Sequence, residues 1–361
     1  MCGITGIFDF ASQAPPVAAD VERVLKAMRD VMVHRGPDGG GLWVSDDGRM
    51  GLAHRRLAIV DLSDAAAQPM ANEDGRVRVI FNGEIYNHIS LREELIAAGH
   101  TFRSSHSDTE VLVHGYEEWG MDGLAGRLDG MFAFAVWDAA KGRLFLVRDR
   151  LGIKPLYFTR QSGTFLFASE IKSLLENPKV PRAVEPAALN HFLSFLVAPA
   201  PLTMFKGIYK LPAAHILEVD AEGGLSARRY WDATPGRGID ENDIRGMSDK
   251  ETEKFYTKGI RSRLEAAVEK RMMSDVPFGV FLSGGIDSSA NVGLMSRLMD
   301  RPVDTFTVSR DGQRIAAVLS TTTHPPDVYL LNASGRNPNK TRVTRANPQV
   351  DTWKLPQIKT V

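Results

Sequence analysis

The chain has 361 residues with 44 basic and 44 acidic side chains, so no net charge draws it to nucleic acid or to an anionic membrane surface. Its length suits about two domains with cores of their own, and 43% hydrophobic with 24% charged residues is a globular composition. One cysteine, Cys2, excludes an internal disulfide framework and a cysteine-based zinc site and fits a reducing cytoplasm.

MCGITGIFDF lacks the basic start of a secretory signal, and no apolar run reaches the ~18–20 residues of a membrane span. Residues 3–10 read as a strand rich in β-branched and aromatic side chains. Asp20–Val33 spaces Val21, Val24, Leu25, Met28 and Met32 as one face of a helix. The loop HRGPDGGG (34–41) follows, then strand-like runs at 41–45, 50–60 and 77–81. Ile89–Ala98 and Asp108–Trp119 read as helices. Two hairpins follow: 131–138 with 143–148 around Lys141-Gly142, and 156–159 with 164–169 around Ser162-Gly163. The first part is therefore α+β with antiparallel sheets.

Residues 232–250 are rich in Gly and charge and make the best linker. Beyond them come a long helix over 252–273, a short buried strand at Phe278–Leu282, a helix at Ser289–Met299 and a second buried strand at Val303–Val308. That order is a βαβ unit with a parallel sheet. Residues 310–361 turn rich in Thr, Asn, Pro and Arg, with strand candidates only at 315–319 and 328–331. Two strands without covering helices cannot bury both faces of a parallel sheet, so residues beyond about 310 are expected to pack poorly.

Cys2 follows the initiator Met1 directly. Removal of Met1 would leave the α-amino group on the same residue as the thiol, with a pKa near ~7.7–8. Such a residue holds both a nucleophile and its base. FNGEIYN (81–87) offers the Asn82 side-chain amide and the Gly83 N–H as two donors for an oxyanion, with the Glu84 carboxylate beside them. Asn-Gly is equally the strongest hairpin dipeptide. HRRLAIVD (54–61) sets Arg55 and Arg56 at the head of a strand, where an arginine grips a carboxylate with two hydrogen bonds or makes a surface ion pair. Asp108 in SHSDTE precedes a helix, either as an N-cap or as a partner for an ammonium group.

MCGITG, HRGPDG, HRRLAIVDL, FNGEIYN, SDTEV, LDGMFAFAVWD and RDRLGIKPLY, in this order, resemble the amidotransferase domain of glutamine-hydrolysing asparagine synthetases. The resemblance covers about residues 2–215 and implies an N-terminal-nucleophile αββα sandwich. It implies Cys2 as nucleophile, with Asn82 and Gly83 as the oxyanion hole. Arg56 with Leu57, Ala58, Ile59 and Val60 would hold the glutamine carboxylate end, Glu84 would contact glutamine, and Asp108 would hold its α-amino group.

FGVFLSGGIDSS (278–289) is a Gly-rich turn into a helix start, a shape that accepts phosphate. It lacks the Walker ending GK[ST] and resembles the pyrophosphate loop of ATP-pyrophosphatase synthetases. That implies ATP contacts from Leu282, Ser283, Gly284, Gly285, Asp287, Ser288 and Val308, with Mg2+ carried by the nucleotide. L-glutamine, L-aspartate and ATP are the implied substrates, and a homodimer the implied assembly. The expected organisation is an amidotransferase domain over 1–215 and a linker region over 216–250. The start of an α/β, Rossmann-like synthetase domain follows over 251–309, then an atypical tail over 310–361. That tail lacks the family's later acidic stretch and second serine–glycine loop, so the synthetase half reads as shortened. The alternatives are an amidotransferase acting on another carboxylate, or a stand-alone glutaminase or regulatory remnant.

Overall fold

A computed structural model describes residues 1–11, 16–234, 243–282, 285–300, 303, 305–308, 313–321, 324–332 and 340–344. They divide into two compact units, Met1–Arg237 and Gly238–Val361.

In the first unit, β1 (Gly3–Asp9) leads to α1 (Ala18–Asp30), β2 (Gly39–Val44), β3 (Met50–Arg56), β4 (Met70–Ala71) and β5 (Val77–Ile85). Next come α2 (His88–Ala97), α3 (Glu110–Arg127), β6 (Gly130–Asp138), β7 (Arg143–Arg148), β8 (Tyr157–Gln161) and β9 (Thr164–Ala168). The unit closes with α4 (Ile171–Leu174), α5 (Pro186–Phe195), β10 (Ile208–Lys210), β11 (His215–Val219) and β12 (Leu225–Arg229). The strands form two six-stranded sheets, ordered β10-β8-β9-β1-β3-β2 and β12-β11-β7-β6-β5-β4. Every pairing in both is antiparallel.

Alternation along the strands builds four layers. Ile4 and Phe8 of β1, with Met50 and Leu52 of β3, meet Ile80, Ala133, Ala135 and Leu146 of the other sheet in one buried cluster. The opposite face of the first sheet, through Ile7, Ala53 and Leu166, packs on Val21, Leu25 and Met28 of α1 and Leu174 of α4. The outer face of the second sheet, through Val79, Phe81, Phe134 and Val136, packs on Leu91 and Leu95 of α2 and Val111, Leu112 and Leu124 of α3. The result is the expected αββα sandwich. Gly120, at φ +65°, breaks α3 into two segments.

Three local differences matter. β3 ends at Arg56, not at 60, because the chain leaves the ladder there and Leu57 turns its backbone to Cys2. Helix α3 starts at Glu110 with Thr109 at its N-cap, so Asp108 is not the capping residue. Residues 216–229, placed in the linker region where the resemblance stopped, belong to β11 and β12 and complete the second sheet.

The second unit holds α6 (Asp249–Lys270), β13 (Val280–Phe281), α7 (Ile286–Leu298), β14 (Thr305–Val308), β15 (Arg314–Thr321), β16 (His324–Asn332) and β17 (Lys340–Arg342). Ser248 opens α6 with a capping box to Glu251. The parallel βαβ pairing is present between β13 and β14, but β14 to β17 continue as an antiparallel meander. Their links are too short for a parallel crossover, which needs a dozen residues or more. β13 is not buried: Phe281 is 66% exposed. The expected strands at 315–319 and 328–331 fall inside β15 and β16, with Ala317 and Asp327 buried; residues 345–361 lie outside the described residues. No helix among the described residues is long and apolar enough to cross a membrane.

Candidate active site

Cys2 enters at the head of β1. The Arg35 Nε donates to the Cys2 carbonyl at 2.8 Å, and Arg35 is itself tied to Glu170 at 3.0 Å. The HRGPD loop thus holds the nucleophile's backbone. The Cys2 Sγ accepts the Leu57 N–H at 3.4 Å and lies 3.6 Å from the Leu57 carbonyl. Burial pushes the thiol up in pKa, while the Leu57 N–H favours the thiolate. Burial also lowers the pKa of the adjacent N-terminal amine.

The free edge of β5 faces this thiol. In an antiparallel strand, alternate residues aim their N–H and C=O groups to the same side. Phe81 donates its N–H to Gln68 Oε1 at 2.6 Å, and its carbonyl lies 3.1 Å from His54 Nε2. Ile85 donates its N–H to Asp108 Oδ2 at 3.0 Å, and its carbonyl lies 3.0 Å from His88 Nδ1. Gly83 stands midway, so its N–H points to the same side, between Gln68 and Asp108. A Cβ on Gly83 would meet the Met131 carbonyl oxygen at 2.3 Å, so the glycine also permits the close β5–β6 approach. Asn82 is 1% exposed, and neither its Oδ1 nor its Nδ2 has a hydrogen-bond partner. A buried amide left unpaired in this way is costly, and both residues line one pocket with Cys2. The Asn-Gly pair is no hairpin turn; it lies within a strand.

The two arginines part company. Arg55 pairs with Asp30 at 2.8 Å. The Arg56 guanidinium donates to the backbone carbonyls of Ser63, at 3.0 Å, and Asp61, and has no carboxylate partner among the described residues. It lines the pocket, as does Asp108. Burial pushes the Asp108 carboxyl up to about 7, opposed by the Ile85 N–H and reinforced by Glu84. The pocket also takes Leu57, Ile59, Val60 and Glu84, and holds about 550 Å³ of empty space including its open mouth. A guanidinium, a carboxyl group, a thiol, an unpaired amide and a strand-edge N–H thus line one pocket.

Ala58 is not in the lining; its N–H donates to Asp38 Oδ2 at 2.9 Å and braces the HRGPD loop. Ala66, Gln68, Ser107, Thr109 and Lys154 line the pocket without having been expected there. Lys154 lies in the RDRLGIKPLY motif, a usable signal, and burial lowers its pKa. Gln68 gave no signal, since its role is to hold backbone: it takes the Phe81 N–H and donates to Thr109 Oγ1 at 3.1 Å.

In the second unit, strand β13 and helix α7 flank the expected loop, and α7 starts at Ile286, three residues before the expected Ser289. Gly285 is the N-cap of α7, and the Ser288 and Ser289 hydroxyls donate to its carbonyl at 3.1 and 2.9 Å. Asp287 is exposed in the first turn and Leu282 half-buried. Ser283, Gly284 and the Val308 side chain lie outside the described residues.

Residues 1–231 match the model of the glutamine amidotransferase domain, and residues 259–316 that of asparagine synthase. The asparagine synthetase [glutamine-hydrolyzing] 3 of Bacillus subtilis (strain 168) is 38% identical over 317 residues, 85% of this chain and 48% of that one. A putative asparagine synthetase [glutamine-hydrolyzing] 2 of Methanocaldococcus jannaschii is 33% identical, over 87% of this chain and 60% of that one. The solved structure titled as the allosteric regulatory enzyme of purine biosynthesis shares 18% identity over 64% of this chain and 50% of that chain, at a TM-score of 0.48. The chain spans about half the length of the first Bacillus relatives it matches. With residues 1–231 matched, and Cys2, Arg56, Asn82, Gly83 and Asp108 in one pocket, the chain belongs to the glutamine amidotransferase domain family.

Proposed function

We propose that this chain hydrolyses L-glutamine at Cys2 and belongs to a glutamine-dependent asparagine synthetase. The observation that carries the reading is the unpaired, buried Asn82 amide beside the Gly83 N–H, in the pocket that holds the Cys2 thiol. Arg56 takes the α-carboxylate of glutamine and Asp108 its α-ammonium group, which extends the side-chain amide toward Sγ. With Met1 removed, the Cys2 α-amino group accepts the thiol proton. Sγ attacks the amide carbon, and the oxyanion is met by Asn82 Nδ2 and the Gly83 N–H. The α-ammonium returns the proton to the departing nitrogen, which leaves as ammonia. Water then cleaves the thioester and glutamate leaves.

The second unit supports ATP use. Gly285 caps the N-terminus of α7, a helix end of the kind that receives phosphate, and Leu282, Ser283, Gly284, Asp287, Ser288 and Val308 are the residues we assign to the nucleotide. Mg2+ arrives with ATP. Activation of L-aspartate as its β-aspartyl adenylate would let ammonia form asparagine.

The test is paired. Glutamate release from glutamine is measured for the wild type and Cys2→Ala, with mass spectrometry confirming Met1 removal. Aspartate-dependent pyrophosphate release from ATP is measured in parallel. Glutamate formation that vanishes in Cys2→Ala supports the nucleophile, and its persistence in that variant overturns it. Absence of aspartate-dependent pyrophosphate overturns the synthetase assignment alone.

A further inference from the structure

We propose that His100, His114 and Glu117 form a binding site for one divalent transition-metal ion of the zinc type, apart from the Cys2 pocket. None of the three lines that pocket. His114 and Glu117 are three residues apart on α3 and share a face. His100 follows α2, where its N–H returns to the Leu95 carbonyl at 3.0 Å and Gly99 takes φ +106°. Its ring lies 5.1 Å from that of His114. One nitrogen from each histidine and one Glu117 oxygen all lie within 4.8 Å of one another.

His114 supplies the independent sign of a ligand. It is 2% exposed, and neither ring nitrogen has a hydrogen bond of ordinary length among the described residues, the Glu110 carboxylate being a long polar partner. Nδ1 is 3.4 Å from Glu117 Oε2 and 4.0 Å from Glu73 Oε1, and Nε2 is 3.7 Å from Glu110 Oε1. These exceed the ~2.7–3.2 Å of a hydrogen bond. The 3.4 Å separation from Glu117 is close to the roughly 3.3 Å between two ligands of a tetrahedral zinc with ~2.0–2.1 Å bonds, and the three donors, within 4.8 Å of one another, would draw in on the ion.

Glu117 is already oriented. Its Oε1 accepts from Asn72 Nδ2 at 2.7 Å, which leaves Oε2 toward His114, as outer partners orient metal ligands. Two imidazoles with one carboxylate are a zinc donor set. Glu118, 3.2 Å from His100 Nε2, or a water completes the shell. Glu110 holds the N–H groups of Arg103 and Ser104 at 2.7 and 2.8 Å. An ion here would tie α2 to α3 across the loop that carries Asp108.

The competing arrangement is a protonated His114 among carboxylates with no metal. Full-length protein carrying Cys2→Ala, which removes the thiol as a competing ligand, is stripped with a chelator and titrated with zinc by calorimetry. One equivalent should bind and raise Tm. Affinity should fall at least about tenfold in added His100→Asn and Glu117→Gln variants, both changes being at partly exposed side chains that spare His114. Cobalt should give visible d–d bands that the same variants lose. No zinc binding, or binding equal in both variants, overturns the site in favour of the ion-pair network.

Discussion

Asp108 Oδ2 accepts the Ile85 N–H at 3.0 Å, two residues beyond Gly83 on the free edge of β5. One carboxylate therefore fixes the strand that carries Asn82 and Gly83 and also lines the pocket. The cost is burial, which raises its pKa to about 7.

That shift sets a stability test. An unfolded aspartate titrates near ~3.9, so between pH ~4 and ~7 the folded chain holds a proton that the unfolded chain has lost. Stability falls with rising pH across that window, and the burden is complete above pH ~7. Asp108→Asn keeps an acceptor for Ile85 and removes the charge. We expect it to raise stability at pH 8 by about 2–4 kcal/mol, with no gain at pH 4, in denaturant unfolding followed at both values. A gain equal at both pH values contradicts the buried-charge account.

The same carboxylate shapes activity. Only ionised Asp108 holds an ammonium group, so kcat/KM for glutamine should fall about tenfold per pH unit below pH ~7. A profile flat from pH 5 to 8 would remove Asp108 from substrate binding.

Asn82→Ala separates chemistry from folding. Loss of one oxyanion donor costs about 10²–10³ in kcat. The removed amide has no partner to strand, so Tm should stay level or rise. A large drop in Tm with modest change in kcat would show that Asn82 serves the sheet.

Gly83→Ala should fail differently. Its Cβ would sit 2.3 Å from the Met131 carbonyl oxygen and 2.7 Å from the Phe132 Cα. Backbone cannot yield as a flexible side chain does, so β5 must part from β6. We expect loss of cooperative unfolding by circular dichroism. A variant with wild-type Tm would show the sheet to be more compliant than this.

Arg55 and Arg56 are adjacent with unequal roles. Arg56→Ala should raise KM for glutamine about 10- to 100-fold, the loss of a charged hydrogen bond. Arg55→Ala removes a partly buried pair with Asp30 away from the pocket lining, and should leave KM unchanged. Steady-state kinetics on the two variants decides between them.

The sequence by itself determined the motif order and an α+β first domain with antiparallel sheets, because strand and helix periods and turn residues act locally; the four-layer sandwich came from the ordered motifs' resemblance to a family, and about half of the pocket lining was named in advance. Cys2, Arg56, Asn82, Gly83 and Asp108 were legible as chemistry-bearing types, each with an equally local alternative. Tertiary structure decided between the alternatives. Asn82-Gly83 is strand and not turn because β6 pairs along its whole length. Asp108 lines the pocket and takes the Ile85 N–H because Thr109 holds the N-cap position. Arg56 faces the pocket because Arg55 is spent on Asp30. Gln68 could not be read, since it acts on the backbone of a residue 13 positions away. Nor could the meander after β14 be read, where hairpin-length links replace a parallel crossover. Long-range pairing assigns each group one partner from several that its neighbours in sequence would allow.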